Sequence, residues 1–161
     1  MFTYYLHLGS NQGDRKDLLH KALQLINENI GTITKKSSIY ETEPWGIKEQ
    51  EYFLNMAIEL ASSKSPEEVL SNIKSIEKTL VSDKIIKWGP RNIDIDILYC
   101  DDLILESNVL LIPHAHIHER NFVLIPLMEI AGDYTDPVQL ITIDEMYDRC
   151  QDESEVFIFE E

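Results

Sequence analysis

The sequence of 161 residues is poor in cysteine and contains no long hydrophobic run. Its two cysteines, Cys100 and Cys150, are too few for the disulfide framework of a small secreted domain, so we expect reduced thiols. The first eight residues lack the length and the basic start of a signal peptide, and no stretch is long enough to span a bilayer. These absences predict a cytoplasmic protein that does not enter a membrane.

Basic residues are also scarce, with 14 lysines and arginines against 29 aspartates and glutamates and a formal net charge of −15. This charge repels nucleic acids and anionic membranes, so neither is an expected partner. Any site for phosphate groups must therefore be built locally from a few cations. The length and the 43% hydrophobic content fit one domain, residues 1–161, and we expect a monomer.

Hydrophobic periodicity predicts the order of the secondary-structure elements. Ser65, Pro66 and Glu68 supply an N-cap, a first-turn proline and a capping box for one helix, and Gly31 is typical of the end of another. The predicted elements are strand 2–8, helix 14–29 or 15–29, strand 32–41, strand 53–60, helix 66–80 and strand 92–99. This β-α-β-β-α-β order predicts an α+β fold, a ferredoxin-like sandwich with helices on one face of the sheet.

The C-terminal part of the sequence predicts additional helices and short strands. Two short strands at 103–105 and 109–112 precede a helix at 119–131, although Pro126 is unfavourable inside a helix. A helix at 144–149 and a strand at 156–159 follow. No motif occurs after Tyr134, so we expect this last part to have a structural role.

Two acids in the strand 92–99 are the main candidates for chemistry. Successive side chains of a strand point to opposite faces, so Asp94 and Asp96 share one face. With Cα atoms about 6.5–7 Å apart, the ionised carboxylates repel by about 2–2.5 kcal/mol at an effective dielectric of about 20. A Mg²⁺ ion that also binds the phosphate oxygens of a nucleoside triphosphate would relieve this repulsion. The alternative, solvated acids on a half-exposed strand, is the commoner explanation of an isolated Asp-x-Asp.

The residues around this acid pair resemble a family signature. The run Lys87-Trp88-Gly89-Pro90-Arg91, followed by Asp94 and Asp96, is similar to the signature of the 6-hydroxymethyl-7,8-dihydropterin pyrophosphokinase family. Three further blocks resemble that family in the same order, at residues 9–11, at 40–46 with 53–55, and at 113–114 with 118–124. Together the blocks span residues 9–133.

The resemblance implies an activity and a set of site residues. Members of the family transfer pyrophosphate from MgATP to the hydroxymethyl oxygen of the pterin, which gives AMP and the pterin diphosphate in folate biosynthesis. Asp94 and Asp96 would hold two Mg²⁺ ions. The implied pterin-binding residues are Thr42, Pro44, Trp45, Phe53, Asn55 and Phe122. The implied ATP-binding residues are Glu77, Arg91, Ile97, His114 and Arg120, and the implied catalytic residues are Arg91, Trp88 and Lys84.

The resemblance changes the interpretation of two aromatic residues. Without it, Phe53 and Phe122 would be assigned to the core, where phenylalanine is usually buried. In the family, aromatic side chains at these places sandwich the pterin ring, and stacking of this kind contributes about 1–3 kcal/mol per face. Asn55 and Thr42 would then bind the donors and acceptors on the edge of the ring.

The chain departs from the family pattern in the loop 78–87, which contains no arginine. Contact with the polyphosphate would then come from Arg91 and Arg120, with Lys84 and Lys87 as less precise point charges. The resemblance places Trp88 in a mobile loop that closes over the substrates. The alternatives are that Arg91 only neutralises the neighbouring acids and that Trp88 is a surface aromatic.

Two other classes of function are compatible with the sequence. One is a non-catalytic ferredoxin-like module that binds a small ligand or a partner through its acidic face. The other is a zinc protein, because His114, His116 and His118 would point to one side if their backbone were extended. Pro113 and Glu119 fit better a turn that enters a helix, where alternate side chains diverge.

Overall fold

The computed structural model describes residues 1–44, 49–81 and 92–159 of the chain. The strands are β1 Phe2–Ser10, β2 Thr32–Lys36, β3 Tyr40–Thr42, β4 Phe53–Ser62, β5 Asp94–Cys100, β6 Leu105–Glu106, β7 Leu111–Ile112 and β8 Val156–Ile158. The helices are α1 Arg15–Asn29, α2 Pro66–Thr79, α3 Asn121–Ala131 and α4 Ile143–Arg149, and a 3₁₀ turn at Ile117–Glu119 precedes α3. Within these described ranges, no helix is both long and apolar enough to cross a membrane.

The main sheet is antiparallel and has the strand order β5-β1-β4-β3-β8. β1 lies in the middle because it pairs with β4 along one side and with β5 along the other. β2 pairs with the far end of β4, while β6 and β7 form a separate small hairpin. The predicted combination of helices with a sheet is confirmed. The last strand, β8, lies at the edge of the main sheet beside β3, a position that the sequence did not predict.

The prediction of one continuous strand at 32–41 is wrong, because the chain is interrupted between β2 and β3. At the interruption, the backbone N–H of Ser37 donates to the carbonyl oxygen of Ala57 at 2.9 Å. The hydroxyl oxygen of Ser37 accepts from the N–H of Ala57 at 2.9 Å. The serine side chain thus takes the place of a backbone carbonyl in the ladder, and the buried polar groups of the sheet stay satisfied.

Hydrophobic side chains form a core on each face of the sheet. α1 and α2 cover one face, as predicted, whereas α3 and α4 cover part of the opposite face. The first core includes Leu6, Leu8, Leu19, Ile26, Ile58, Leu60, Val69, Ile73, Ile95 and Ile97. The second core includes Tyr5, Ala57, Leu98, Tyr99, Val123, Leu124, Leu127, Ile143 and Met146. The helices of the predicted β-α-β-β-α-β unit therefore lie on one face, and the additional C-terminal helices, whose position the sequence did not predict, lie on the other.

Local capping signals explain where α1 and α2 begin. The Asp14 side chain accepts from the N–H of Asp17, and Ser65 forms the predicted capping box with Glu68. Gly31 follows α1 as expected, but the reason is a close approach to β4. A Cβ atom at this position would lie 2.3 Å from the carbonyl oxygen of Ala61.

The helix predicted at 119–131 begins at Asn121 and runs through Pro126. Because proline has no N–H, the carbonyl oxygen of Phe122 cannot receive the usual helical hydrogen bond from residue 126. His7 of β1 supplies a donor instead, with its Nε2 3.1 Å from that oxygen. The proline therefore gives α3 a carbonyl group that anchors the helix to the sheet.

Candidate active site

The acid pair lies on β5, on the face of the sheet that α3 covers in part. Asp94 is opposite Gly9 of β1, and Asp96 is opposite His7. Both acids are half-buried, while the intervening Ile95 points into the core under α1 and α2. The prediction that the two carboxylates share one face is confirmed by this register.

A polar pair occupies the same face two strands away. Gly9 is opposite Asn55 of β4, so the row of residues that begins at Asp94 continues across the sheet to Asn55. The Asn55 amide donates from Nδ2 to Oγ1 of Thr42 at 2.6 Å, and both residues are about 1% exposed. This bond leaves the Asn55 carbonyl oxygen and a second amide hydrogen for other partners.

Gly9 keeps this part of the sheet open. A Cβ atom at Gly9 would lie 3.2 Å from Oδ1 of Asn55, 3.7 Å from the Phe53 ring and 3.8 Å from the His7 ring. A larger residue would therefore fill the space that these three side chains border. Phe53 alternates with Asn55 along β4 and so lies on the same face, half-buried.

Phe122 is brought to this face by α3, and His7 fixes its position. The rings of His7 and Phe122 meet edge to face, with centroids 5.7 Å apart. Burial lowers the pKa of His7 to about 4, although the nearby Asp96 opposes this shift. The ring is therefore neutral at neutral pH and donates its Nε2 hydrogen to Phe122. Sequence reasoning assigned no role to His7, and its only signal was a polar residue in a strand near the Gly9 block.

Cationic and imidazole groups approach Asp96 from the segment before α3. The backbone N–H of His114 donates to the carbonyl oxygen of Leu98 on β5 at 3.1 Å. Burial lowers the pKa of His114 and that of Arg120, and the charge of Asp96 raises both. The guanidinium carbon of Arg120 lies 5.6 Å from the centroid of the Phe122 ring. The predicted groups for phosphate and for the pterin thus meet beside the acid pair.

Comparison with known proteins identifies the family. The family model of 7,8-dihydro-6-hydroxymethylpterin-pyrophosphokinase (HPPK) matches residues 5–132. The chain belongs to the HPPK family. It is 45% identical over 127 residues to the 2-amino-4-hydroxy-6-hydroxymethyldihydropteridine pyrophosphokinase of Bacillus subtilis, covering 78% of this chain and 76% of that protein. It is 40% identical over 138 residues to the protein of the same name from Aquifex aeolicus, covering 86% of both chains.

A solved structure supports the fold of this HPPK family member. The Plasmodium falciparum HPPK-DHPS structure matches 92% of the chain with a TM-score of 0.70 and 20% sequence identity. The match covers 43% of the Plasmodium chain, so this chain spans less than half of that two-part protein. At this identity the likeness shows a shared fold and no more.

The donor set of the HPPK chain fits Mg²⁺ better than zinc. Mg²⁺ is usually bound by one or two carboxylates, with water and phosphate oxygens as the other ligands, and Asp94 and Asp96 offer such a pair. In the part of the chain that the structure describes, no group of three or more His, Cys, Asp or Glu residues could hold a metal ion. Nδ1 of His116 and Nε2 of His118 lie 3.1 Å and 3.4 Å from the carboxylate oxygens of Glu119, and the backbone N–H of His116 donates to Nδ1 of His114 at 3.3 Å. The His114 and His116 ring centroids lie 6.1 Å apart, but the three histidines do not form such a group.

Two residues predicted to bind ATP make contacts within the fold through their side chains. The carboxylate of Glu77 on α2 accepts from the backbone N–H of Ile95 at 2.8 Å, which fixes the start of the edge strand β5. Burial raises the pKa of Glu77, against the effect of that hydrogen bond and of Lys74. Ile97 is buried in the core under α1 and α2, on the face opposite to Asp96. The structure does not bring the Ile97 side chain to the acid pair.

Several predicted site residues lie outside the described residues. They are Trp45 for the pterin, Arg91 for ATP and catalysis, and Lys84 and Trp88 for catalysis. Their roles stay predictions. Pro44 is described, and it is buried directly after β3, two residues beyond Thr42.

Proposed function

We propose that this protein transfers pyrophosphate from MgATP to the hydroxymethyl oxygen of 6-hydroxymethyl-7,8-dihydropterin, giving AMP and the pterin diphosphate in folate biosynthesis. Its membership of the HPPK family supports this function. The observation that carries the proposal is the alignment of Asp94, Gly9 and Asn55 across three strands on one face. In this alignment the carboxylates of Asp94 and Asp96, which could bind MgATP, lie on the same face as Thr42 and Asn55, which could bind the edge of the pterin ring.

The pterin would bind over Gly9, between the aromatic side chains. Phe53 and Phe122 would stack on the ring, because a flat heterocycle gains about 1–3 kcal/mol from each stacked aromatic. The edge of the ring would meet Asn55, whose amide is already oriented by Thr42. An analogue without the matching donors would leave this buried amide unpaired, which gives selectivity.

The triphosphate would lie between the acids and the segment that holds His114 and Arg120. Asp94 and Asp96 would hold the Mg²⁺ of MgATP, which would supply positive charge to neutralise part of the phosphate charge; we expect two ions. Arg120 provides a permanent charge with a planar set of donors. The N–H of His116 points to Nδ1 of His114 at 3.3 Å, so the neutral His114 ring carries its proton on Nε2 and can donate from there.

The chain would act mainly by orientation. The hydroxymethyl oxygen forms a bond to the β-phosphorus and loses its proton to solvent, while the bond between this phosphorus and the α,β-bridging oxygen breaks and AMP leaves with that oxygen. Holding the two reactants in line on one rigid face removes much of the entropic cost of this step. We further propose, from the sequence resemblance, that Arg91 and Lys84 contact the polyphosphate, that Trp45 contacts the pterin and that Trp88 closes over both substrates.

We also assign the core of the fold to the ferredoxin-like arrangement. The supporting observation is the strand order, in which β5, β1, β4 and the β2–β3 pair correspond to strands four, one, three and two of a β-α-β-β-α-β unit. We propose that the protein acts as a monomer in the cytoplasm.

Release of AMP from ATP tests the proposed function. The purified protein should form AMP only when Mg²⁺ and the hydroxymethyl pterin are both present. Chelation of the metal should stop the reaction, and excess Mg²⁺ should restore it. No AMP formation at all would favour the non-catalytic binding module instead, whereas AMP formation that does not depend on the pterin would contradict the pterin as the acceptor.

A further inference from the structure

The N-terminus of α3 presents two residues of the proposed site but lacks the usual kind of cap. Arg120 occupies the N-cap position, and Phe122 lies in the first turn. The N–H groups of a first helical turn need acceptors, which Ser, Thr, Asp or Asn normally supply from the N-cap position. The guanidinium group of arginine is a donor only, so it cannot fulfil this role.

The acceptor comes from the C-terminal segment, 31 residues further along the chain. Oδ2 of Asp152 accepts from the backbone N–H of Asn121 at 2.9 Å. The backbone carbonyl oxygen of Asp152 accepts from Nδ2 of the Asn121 side chain at 2.5 Å. A carboxylate near a helix N-terminus is also favoured by the helix dipole. Asp152 therefore caps α3 from a distant part of the chain and holds Asn121 at two points.

The segment that carries Asp152 is itself attached to the site. Oδ1 of Asp152 accepts from the N–H of Ser154 at 2.9 Å, which orders the turn before β8. β8 then pairs with β3, where Val156 is opposite Thr42. The C-terminal segment thus connects the strand that carries Thr42 to the helix turn that carries Phe122.

We propose that Asp152 is a positioning residue for both substrates, an inference that rests on the proposed function. Arg120 and Phe122 flank Asn121, so movement of this turn displaces the group for the phosphates and the group for the pterin together. His7 holds the same turn from the sheet through the carbonyl oxygen of Phe122. Asp152 holds it at the opposite, outer end, in a part of the sequence that carries no motif.

Three variants separate positioning from loss of charge. Asp152→Ala removes both side-chain acceptors, whereas Asp152→Asn keeps one oxygen and should have a smaller effect. Glu153→Gln is the matched control, because it removes one negative charge from the exposed neighbouring residue. The variants should be compared at a temperature at which circular dichroism shows that all of them are folded.

Two measurements give the expected result. In the protein without ligands, amide hydrogen exchange at residues 121–124 should be faster in Asp152→Ala than in the wild type, and unchanged in Glu153→Gln. Dissociation constants for the hydroxymethyl pterin and for a non-hydrolysable ATP analogue with Mg²⁺ should both rise about fivefold in Asp152→Ala. This factor corresponds to the free energy usually lost when an N-cap is removed, if binding has to restore the order of the turn. Asp152→Asn should lie between this variant and the wild type.

Each possible result decides the inference. Unchanged exchange and unchanged dissociation constants in folded Asp152→Ala would overturn it, and so would a lower melting temperature with unchanged binding. Equal effects of Asp152→Ala and Glu153→Gln would also overturn it, because charge alone would then be responsible. If the wild-type protein formed no AMP, the proposed function would be wrong. If the wild type turned over normally and Asp152→Ala bound both ligands normally, only the role of Asp152 would be wrong.

Discussion

Asp94 and Asp96 lie on one face of an edge strand, and His114 and Arg120 are close enough to Asp96 for its charge to oppose the lowering of their pKa values by burial. Burial disfavours ionised groups unless other charges compensate, so a bound cation would stabilise the two half-buried carboxylates. A divalent ion that also binds phosphate oxygens would supply that charge. The effect depends on the carboxylate charge much more than on side-chain volume.

Asp94→Asn and Asp96→Asn should therefore each lower kcat/KM by at least about 100-fold, because a metal ligand is weakened where charge develops in the transition state. Each variant should remain folded, since the amide has nearly the same volume. AMP release and thermal unfolding measure the two effects. Asp102→Asn, in the exposed turn after β5, is the control and should stay active. Near-normal turnover of either site variant at limiting Mg²⁺ would contradict the metal assignment.

The two aromatic residues should differ in which ligand they affect. Phe53→Ala should weaken pterin binding by about 1–3 kcal/mol and leave ATP binding unchanged, since stacking is local to the ring. Phe122→Ala should weaken pterin binding by a similar amount and also weaken ATP binding, because Arg120 lies over the Phe122 ring. Calorimetric titration with each ligand measures the difference.

Phe157→Ala is the matched control for these two variants, because Phe157 lies on β8 and is about half exposed. It should bind both ligands normally. If Phe53→Ala instead weakened both ligands equally and lowered stability, Phe53 would be a core residue and the stacking assignment would be wrong.

At the level of elements, α3 forms hydrogen bonds with the segment that joins β2 to β3 and with β3 itself. Glu129, near the C-terminal end of α3, accepts from the N–H of Ser38 at 2.8 Å and from the hydroxyl of Tyr40 at 2.6 Å. These bonds lie at the break in the strand, where the sheet ladder alone offers fewer partners. Burial, and then Glu129, raises the pKa of Tyr40 to about 12.

Tyr40→Phe should lower the free energy of unfolding by about 1–2 kcal/mol at pH 8, because it removes a hydrogen bond to a carboxylate. The folded-state pKa of Tyr40 exceeds its ordinary value, so this stabilisation is fully present below about pH 10 and is lost as the pH rises towards about 12. The wild type and the variant should thus converge in stability at alkaline pH. Denaturant unfolding at pH 8 and at pH 11 measures this convergence.

Tyr147→Phe removes a hydroxyl group from an exposed position on α4 and serves as the control. The difference in free energy of unfolding between Tyr147→Phe and the wild type should be close to zero at both pH values. A Tyr40→Phe difference that stayed constant between these pH values would mean that the hydroxyl of Tyr40 does not stabilise the fold through Glu129.

At the scale of the whole molecule, the formal charge of −15 opposes compact folding through self-repulsion. Salt screens exposed charges over a shorter distance as its concentration rises. Raising NaCl from about 20 mM to about 200 mM should therefore raise the melting temperature by a few degrees, as measured by scanning calorimetry. KCl at the same ionic strength should act equally. A fall in melting temperature would mean that attractive ion pairs outweigh the net repulsion.

Local sequence was sufficient to predict most helices and strands. The Ser65 capping box, the apolar stripe of α1 and the alternation along β1 depend on neighbours within a few residues, so they can be read directly from the chain. The shared face of Asp94 and Asp96 follows from strand geometry in the same way. The family resemblance then predicted the partners of these acids, which spacing alone could not.

Only the tertiary structure decided the features that depend on contacts between distant residues. The sequence could not show that His7 would supply the hydrogen bond that Pro126 withholds from Phe122, or that Asp152 would cap a helix whose own N-cap residue is Arg120. Ser37 interrupts a strand that its β-favouring composition predicts as continuous, because its hydroxyl enters the ladder of β4. Sequence patterns report local conformation and burial, whereas these hydrogen bonds form only after β1, α3 and the C-terminal segment have packed together.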